Sequence, residues 1–477
     1  MTTESSPAGS AGSSLAAQTY AGRMPSHVGD MAVETHGIAP IPPGNRYGGA
    51  RRLFTVWFAP QVNMTVVFTG TLAVVLGLGF WLGLLAMVIG TVIGSLAVAY
   101  LSTWGPRTGT AQLPNARMAF GGTVGVVAVI QWLSSIAWDG LVGLFGGEAL
   151  AELLGMPFWL AVVIVLAAQG AVGVFGYEVI HRVQAVMTVV LIVTFAVFAW
   201  KLISGHQVIS LPTLGGADLA GAFALEVTIA LSLAISWASY ASDYSRYLPV
   251  TTSRTAVFGY TFGGLAVAYI AVQAIGVAAA GTLTDQTAQG VRDIMGGGVL
   301  GAVALLVIAL GSVASNAMND YSGSLALQTV GVRVRRPVSA VVVVLIAFAL
   351  IMWLHSGDLA SRFQGVLLFV SYWIPAFVAI VAIDWRFRSA GRDAVNPADE
   401  VTPRRDAVVA LAAFFVAFAA AIPFMHTNLI VGPVATALHG ADLAYFVNFL
   451  VAGAVYGGYR LIWGRAKRRG VMASRSS

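Results

Sequence analysis

Long apolar runs separated by short polar loops occupy most of this chain. A helix needs about 20 apolar residues to cross a bilayer. Segment 53–106 contains no charged residue and no histidine, which is enough for two crossings with a turn near residues 76–79. Further runs lie at 121–147, 153–176, 183–203, 219–242, 256–283, 296–328, 337–354, 364–383, 407–425 and 442–463. The pattern predicts twelve transmembrane helices, numbered 1 to 12 in chain order, with both termini on one side.

The basic residues support this count. If the N-terminus is cytoplasmic, 23 of the 26 Lys and Arg residues fall on the cytoplasmic side, and only Lys201, Arg292 and Arg362 fall outside. This is the asymmetry of the positive-inside rule. One helix more or fewer would reverse every later loop. The net charge of +6 therefore reflects the orientation of the chain in the membrane and not a nucleic-acid partner. We expect a plasma-membrane protein with both termini in the cytoplasm.

The composition excludes several other classes. Only 10% of the residues are charged, against roughly 25% in soluble domains, so most of the surface must face the lipid bilayer. The absence of cysteine removes disulfides, thiolate metal sites and cysteine nucleophiles. Residues 1–50, rich in Ser, Gly, Ala and Pro, predict a disordered tail and not a signal peptide. No metal site or cofactor is expected, and we expect a monomer.

Helix 1 carries a proline in mid-span, within "WFAPQVNM" (57–64). Pro60 removes a backbone hydrogen bond, and freed carbonyls at membrane depth are tolerated only where they line a cavity or meet protein. Because Gln61 and Asn63 flank this proline, the segment predicts a binding site; a proline kink without a ligand is the alternative.

Helix 6 carries "ISWASYASDYSRYLP" (235–249). Ser232, Ser236 and Ser239 surround Trp237 halfway along the span, and serine side chains can bond backbone carbonyls and loosen a helix. Without a Gly or Pro at its middle, the helix gives little sign of a break, and packing by small residues is the alternative. At its end we expect Arg246 to face the headgroups.

Ionisable residues inside the spans are costly and usually face a cavity or a partner. Asp139 in helix 3 and Asp320 in helix 8 lie deep, which makes them functional candidates. Glu148, Glu226 and Asp243 lie near predicted span ends, where we expect capping or pairing, for example of Asp243 with Arg246.

Helix 8 has a polar stripe within "GSVASNAMNDYSGS" (311–324), formed at helical spacing by Ser312, Ser315, Asn319 and Ser322. Asn319 lies at the same predicted depth in the membrane as Trp138 in helix 3 and Trp237 in helix 6. Flat aromatic faces combined with amide donors and acceptors suit a small planar heterocycle.

Four segments give the chain a family resemblance. They are "GPRTGTAQLPNARMAFG" (105–121), "IAWDGLVGLFGGEAL" (136–150), "ASDYSRYLP" (241–249) and "FQGVLLFVSYWIPAFVAIVAIDW" (363–385). In this order the chain resembles the nucleobase:cation symporter family, the purine–cytosine permeases, over roughly residues 46–465.

The resemblance implies an all-α LeuT-type membrane fold. Two inverted five-helix repeats would occupy residues 51–203 and 217–385, the two peripheral helices 404–463, and a basic cytoplasmic tail 464–477. It also implies a transporter and not an enzyme, which imports a purine, cytosine or related nucleobase with H⁺ or Na⁺.

In the family the base stacks between a helix 3 tryptophan and a helix 6 aromatic residue, and a helix 8 asparagine reads its edge. The resemblance places these roles on Trp138, Trp237 and Asn319. Gln61, Asn63 and Ser315 complete the expected substrate site.

Two departures bear on the coupling ion. Val142 replaces an amide that some members have, and Val313 and Ala314 stand where sodium-coupled members have hydroxyls. Sodium requires hard oxygen ligands, so we expect proton coupling.

Asp139 and Asp320 are then the expected proton carriers, with Ser312 beside them. The alternative is another planar heterocycle, such as allantoin, a hydantoin, uracil or a vitamin-like compound, with sodium coupling. A membrane enzyme or a channel is a remote alternative, because neither an H-E-x-x-H or G-x-S-x-G motif nor a repeated charged ring is present.

Overall fold

The computed structural model describes residues 37–473 except 175–176, 206–207, 284–286, 332–335, 390–394, 396 and 398–399. Residues 1–36 of the predicted N-terminal tail and residues 474–477 of the basic tail lie outside this range. Each of the twelve predicted apolar segments coincides with a helix or a pair of helices.

The first five predicted helices occupy the N-terminal part of the chain. Their bounds are Arg52–Phe58 with Met64–Val75 for helix 1, Gly79–Ser102 for helix 2, Val124–Leu154 for helix 3, Phe158–Val174 for helix 4 and Tyr177–Gly205 for helix 5. Two short helices, Gly105–Thr108 and Gln112–Phe120, connect helices 2 and 3.

The remaining seven follow after residue 215. Their bounds are Gly216–Ile235 and Ala241–Ser245 for helix 6, Arg254–Ala279 for helix 7, Gly298–Val330 for helix 8, Arg336–His355 for helix 9, Leu359–Phe369 and Ile374–Arg388 for helix 10, Arg404–Ala421 for helix 11 and Ala444–Ala473 for helix 12. Short helices at Thr287–Ile294 and Pro433–Ala437 lie in the connections.

The lengths and hydropathy of these helices are consistent with the predicted count. Within the described residues, helices 2, 3, 5, 6, 7, 8, 10 and 11 are long and apolar enough to span a membrane, and the bent halves of helix 1 together provide a ninth candidate. Helices 4 and 9 contain shorter apolar stretches. The crossings of helices 4, 9 and 12 stay a prediction.

Two packed groups surround helix 1. Helix 3 packs along helix 8 with helix 4 beside them, and helices 2, 6 and 7 pack together on the other side. Helix 1 contacts helix 7 along much of its length, while helices 11 and 12 pack on the second half of helix 10.

Three spans are interrupted at their middle. Helix 1 bends by 59° between its halves, as Pro60 predicts. Helix 6 tightens into a 3₁₀ segment, Ser236–Tyr240, and has no bend comparable to that of helix 1. In this segment the hydroxyls of Ser236 and Ser239 donate to the carbonyls three residues earlier. Mid-helix 3₁₀ segments often mark hinges. The interruption of helix 10 at residues 370–373 is not foreseen by the predicted continuous span 364–383.

Candidate functional site

The break in helix 1 exposes backbone groups at the centre of the protein. Asn63 is extended (φ −144°, ψ 168°), and its Oδ1 accepts from the Val66 amide at 3.1 Å, so it caps the second half of the helix. Its amide nitrogen donates to the Pro60 carbonyl. Gln61 is 2% exposed, and its Nε2 has no hydrogen-bond partner among the described residues. Gln61 therefore carries the amide that is available to a ligand.

Trp138 belongs to a part of helix 3 that borders two of these interruptions, and its side chain is buried. Four residues earlier, Ser134 donates to the Val370 carbonyl (3.0 Å) in the helix 10 break. Three residues later, the Leu141 carbonyl accepts from Thr65 (3.3 Å), just beyond the helix 1 break. The turn of helix 3 that carries Trp138 therefore lies between the contacts to the two breaks.

Trp237 sits in the 3₁₀ segment of helix 6, and its position is set by a tyrosine of helix 7. Its indole nitrogen donates to the Tyr269 hydroxyl at 2.7 Å, which in turn donates to the Leu233 carbonyl at 3.1 Å. Its ring meets Trp57 of helix 1 edge-on, with centroids 5.7 Å apart. Within the described residues, Trp138 and Trp237 make no direct ring contact with each other.

Asn319 is oriented by an amide relay that runs from helix 8 to helices 3 and 4. Asn319 Nδ2 donates to Asn316 Oδ1 at 3.2 Å. Asn316 Nδ2 then donates to the Asp139 carbonyl at 3.1 Å and to Gln169 Oε1 at 2.7 Å. The relay places the Asn319 amide next to Asp139 and thus one residue from Trp138.

Asp139 and Asp320 face one another across the packed helices 3 and 8. Asp139 is 1% exposed, and its carboxyl group lies next to the side chains of Asp320 and Asn319. Gln169 of helix 4 flanks Asp320. Neither oxygen of Asp139 has a hydrogen-bond donor in the described part of the chain. The two candidate proton carriers form one pair, in which Asp139 is buried and Asp320 is partly exposed.

The two serines of the predicted site bond backbone carbonyls. Ser315 donates to the Pro60 carbonyl at 3.1 Å, and Ser312 donates to the Val142 carbonyl at 2.7 Å. Ser315 therefore ties helix 8 to the helix 1 break, and Ser312 ties helix 8 to helix 3.

The residues expected at span ends have different outcomes. Glu148 Oε1 lies 3.5 Å from His355 Nδ1, a contact that is an ion pair when the histidine is protonated. The expectation for Glu226 is wrong. It is fully buried and has no hydrogen-bond partner among the described residues. The reason is that helix 6 begins at Gly216, which places Glu226 well inside the span.

The end of helix 6 is buried, and the expected headgroup position of Arg246 is wrong. Arg246 is 0% exposed and donates to the Gly37 carbonyl (2.7 Å) and the Tyr321 hydroxyl (2.9 Å), because the N-terminal segment covers it. Asp243 accepts from the Gln112 amide (2.8 Å) and from Ser322 (2.7 Å). This end of helix 6 therefore forms hydrogen bonds both with the helix 2–3 connection and with helix 8.

Sequence reasoning missed three residues that shape the site. Tyr269 and Trp57 resemble ordinary aromatic positions of apolar spans, and nothing local marks their contact with Trp237. Gln169 did have a signal, since it is a polar residue within the apolar helix 4.

Comparisons with known proteins show the family of this chain. The family model described as "permease for cytosine/purines, uracil, thiamine, allantoin" matches residues 40–448. The Bacillus subtilis protein YxlA, named as a purine–cytosine permease, is 28% identical over 460 residues, which cover 92% of this chain and 98% of that protein. The purine–cytosine permease FcyB of Emericella nidulans is 25% identical over 454 residues, or 90% of this chain and 88% of FcyB.

A solved structure shows the same fold. Mhp1, a nucleobase–cation–symport-1 family transporter in a closed conformation with bromovinylhydantoin bound, superposes with a TM-score of 0.68 at 16% identity and covers 89% of this chain and 94% of Mhp1. The fold is an all-α membrane fold of the LeuT type with interrupted central helices. The chain belongs to the purine–cytosine permease family of nucleobase:cation symporters, so it is a permease and not an enzyme.

Proposed function

We propose that this permease imports a purine base or cytosine together with a proton. The observation that supports the proposal is that helices 3 and 6, which both pack beside the break in helix 1, each carry a tryptophan. Thr65 bonds the Leu141 carbonyl, three residues after Trp138, and Trp237 meets Trp57 edge-on. A planar ring between Trp138 and Trp237 would stack on two aromatic faces.

The base edge is assigned to amides. Asn319 is held by Asn316. Nε2 of Gln61, which has no partner in the described part of the chain, supplies a second donor. An amide presents a donor and an acceptor side by side, and this matches the ring edge of a nucleobase. Asn63 and Ser315 contribute by holding the break open through the Pro60 carbonyl.

Coupling to protons is supported by the residues that helix 8 lacks. Val313 and Ala314 stand where sodium-coupled relatives have hydroxyls, and neither supplies a side-chain oxygen. Sodium requires hard oxygen ligands, so this loss weakens a sodium site. Asp139 and Asp320 are two adjacent carboxyl groups in a low-dielectric interior, where two full charges are costly, so a proton shared by the pair suits this position.

Uptake into proteoliposomes tests the ion. An inward proton gradient in potassium buffer should drive accumulation of the base, and an inward sodium gradient at equal pH on both sides should not. Uptake that requires Na⁺ and ignores the pH gradient would show that the coupling ion is sodium. The Asp139→Asn variant should lose accumulation but keep exchange of base across the membrane.

A hydantoin or related heterocycle is the second candidate, because Mhp1 was solved with bromovinylhydantoin bound. Competition of labelled hypoxanthine and cytosine uptake by unlabelled adenine, guanine, uracil, allantoin, a hydantoin and a vitamin-like heterocycle separates the two. Strong inhibition by purines or cytosine is expected. Inhibition by the hydantoin alone would favour the second candidate.

We also propose a plasma-membrane monomer with both termini in the cytoplasm and repeats at residues 51–203 and 217–385. The concentration of 23 of 26 basic residues on one side supports this orientation.

A further inference from the structure

The connection between helices 11 and 12 enters the interior of the protein. Asp442, near the end of this connection, is 0% exposed, and its backbone carbonyl accepts from the Thr228 hydroxyl of helix 6 at 2.6 Å. Thr228 lies about three turns after Gly216, where helix 6 begins. Irregular backbone at this depth is tolerated where it is buried in protein, and here Asp442 supplies the contacts that hold it.

The carboxyl group of Asp442 accepts three hydrogen bonds. Its Oδ1 accepts from the Ala444 amide at 2.9 Å, and its Oδ2 accepts from the His426 amide at 2.8 Å. Oδ2 also accepts from the hydroxyl of Tyr372, which is fully buried in the break of helix 10 at residues 370–373. An asparagine at this position would turn its NH₂ group toward one of these donors. The carboxyl group therefore joins the connection to the break.

The next residue along the chain in helix 12 that contacts helix 10 is a tyrosine. The Tyr445 hydroxyl donates to the Leu368 carbonyl at 2.9 Å, just before the break. Its ring centre lies 5.2 Å from that of Tyr372. The start of helix 12 therefore contacts both the first half of helix 10 and the break that follows it.

The same break also contacts helix 3 beside Trp138. The indole nitrogen of Trp373 donates to Ser134 Oγ and to the Val370 carbonyl, each at 3.0 Å. Ser134, one turn before Trp138, donates to the same carbonyl at 3.0 Å. Residues 370–373 are thus fixed at two places, by helix 3 and by Asp442.

We propose that Asp442 is a positioning residue of the substrate site. Through Tyr372 it holds the helix 10 break against the turn of helix 3 that carries Trp138. Through Thr228 it holds helix 6, which carries Trp237. The helix 11–12 connection therefore supports both tryptophans, although it lies outside the two predicted repeats. This inference rests on the site of the proposed function.

The kinetics of base uptake into proteoliposomes test the proposal. Tyr372→Phe removes one hydroxyl group and should raise the KM for the base about fivefold, the equivalent of one typical hydrogen bond, with kcat unchanged. A purely structural bond would lower the melting temperature and leave KM as it is. Tyr459→Phe is the matched control, because the Tyr459 hydroxyl of helix 12 also bonds an aspartate, Asp406 of helix 11, at 2.6 Å. Equal KM values for the two variants would overturn the proposal.

A double-mutant cycle shows whether Tyr372 acts through Asp442. Asp442→Asn should also raise KM, and the double variant should have the KM of Asp442→Asn alone, because both changes remove the same bond. Effects that multiply would overturn the proposal. Thr228→Val tests the contact with helix 6 without touching the break, and it should raise KM as well; a wild-type KM would remove helix 6 from the proposal.

Failure of this inference is distinguishable from failure of the proposed function. Normal uptake by Trp138→Ala would overturn the proposed site, and this inference with it. Loss of uptake in Trp138→Ala together with a wild-type KM in Tyr372→Phe would overturn this inference alone.

Discussion

At the scale of single residues, the site depends on side chains that hold other side chains in place. Asn319 is the proposed reader of the base edge, but its amide nitrogen is fixed by Asn316, which also bonds helix 3 and helix 4. A buried polar group left without its partner costs about 1–3 kcal/mol.

Asn316→Ala is therefore expected to raise the KM for the base and to lower thermal stability, because it removes the donor and acceptor of three hydrogen bonds. Uptake kinetics and thermal unfolding in detergent measure the two effects. Ser324→Ala is the control, since the hydrogen bond of the Ser324 hydroxyl within the described residues goes to the Tyr321 carbonyl of its own helix at 2.7 Å. A wild-type KM in Asn316→Ala would show that Asn319 does not need this support.

From the sequence, candidate residues can be chosen by their type, but their contacts with distant residues cannot be predicted. Trp138, Asn319 and Asp139 are singled out because polar and aromatic groups are unusual at mid-span. Tyr269 could not be found, because its contact with Trp237 joins positions 32 residues apart on separate helices. Arg246 could not be placed, because the chain segment that buries it includes Gly37, far away in sequence.

At the scale of elements, interruptions and close crossings position the site. Pro60 predicts the bend in helix 1 because it removes a backbone donor. For the break in helix 10, the local sequence signals are Trp373 and Pro375. The indole nitrogen of Trp373 donates to the Val370 carbonyl at 3.0 Å within the break. Such tertiary stabilisation is invisible in a continuous apolar run.

Helices 1 and 7 cross at Gly70 and Gly276. A Cβ atom on Gly276 would overlap the Val67 carbonyl oxygen, and one on Gly70 would overlap the Gln273 carbonyl oxygen. Gly276→Ala should therefore push helix 7 away from helix 1 and destabilise the protein by about 1–3 kcal/mol.

Thermal unfolding of the purified variants measures this effect. Gly259→Ala, also in helix 7, is the matched control, because nothing lies within 4 Å of its added Cβ, and it should unfold like wild type. Equal melting temperatures for both variants would contradict the close crossing.

At the scale of the whole molecule, the charge pattern predicts the orientation in the membrane. The natural chain has no cysteine, so a single introduced cysteine reports its own side without background. Gly49 and Ser210 are both exposed and lie at opposite predicted sides.

In intact cells, a membrane-impermeant maleimide should label Ser210→Cys and leave Gly49→Cys unlabelled until the cells are permeabilised. Labelling of Gly49→Cys in sealed cells would show that the predicted orientation is reversed.

The central claim is that Trp138 and Asn319 hold a flat base at the helix 1 break while an ion gradient drives its import. The most direct measurement is accumulation of labelled hypoxanthine and cytosine in proteoliposomes that contain wild type, Trp138→Ala or Asn319→Ala in equal amounts. Wild type should concentrate at least one of these bases above its equilibrium level, and both variants should insert normally and lose uptake. Transport by both variants at the wild-type rate would contradict the account.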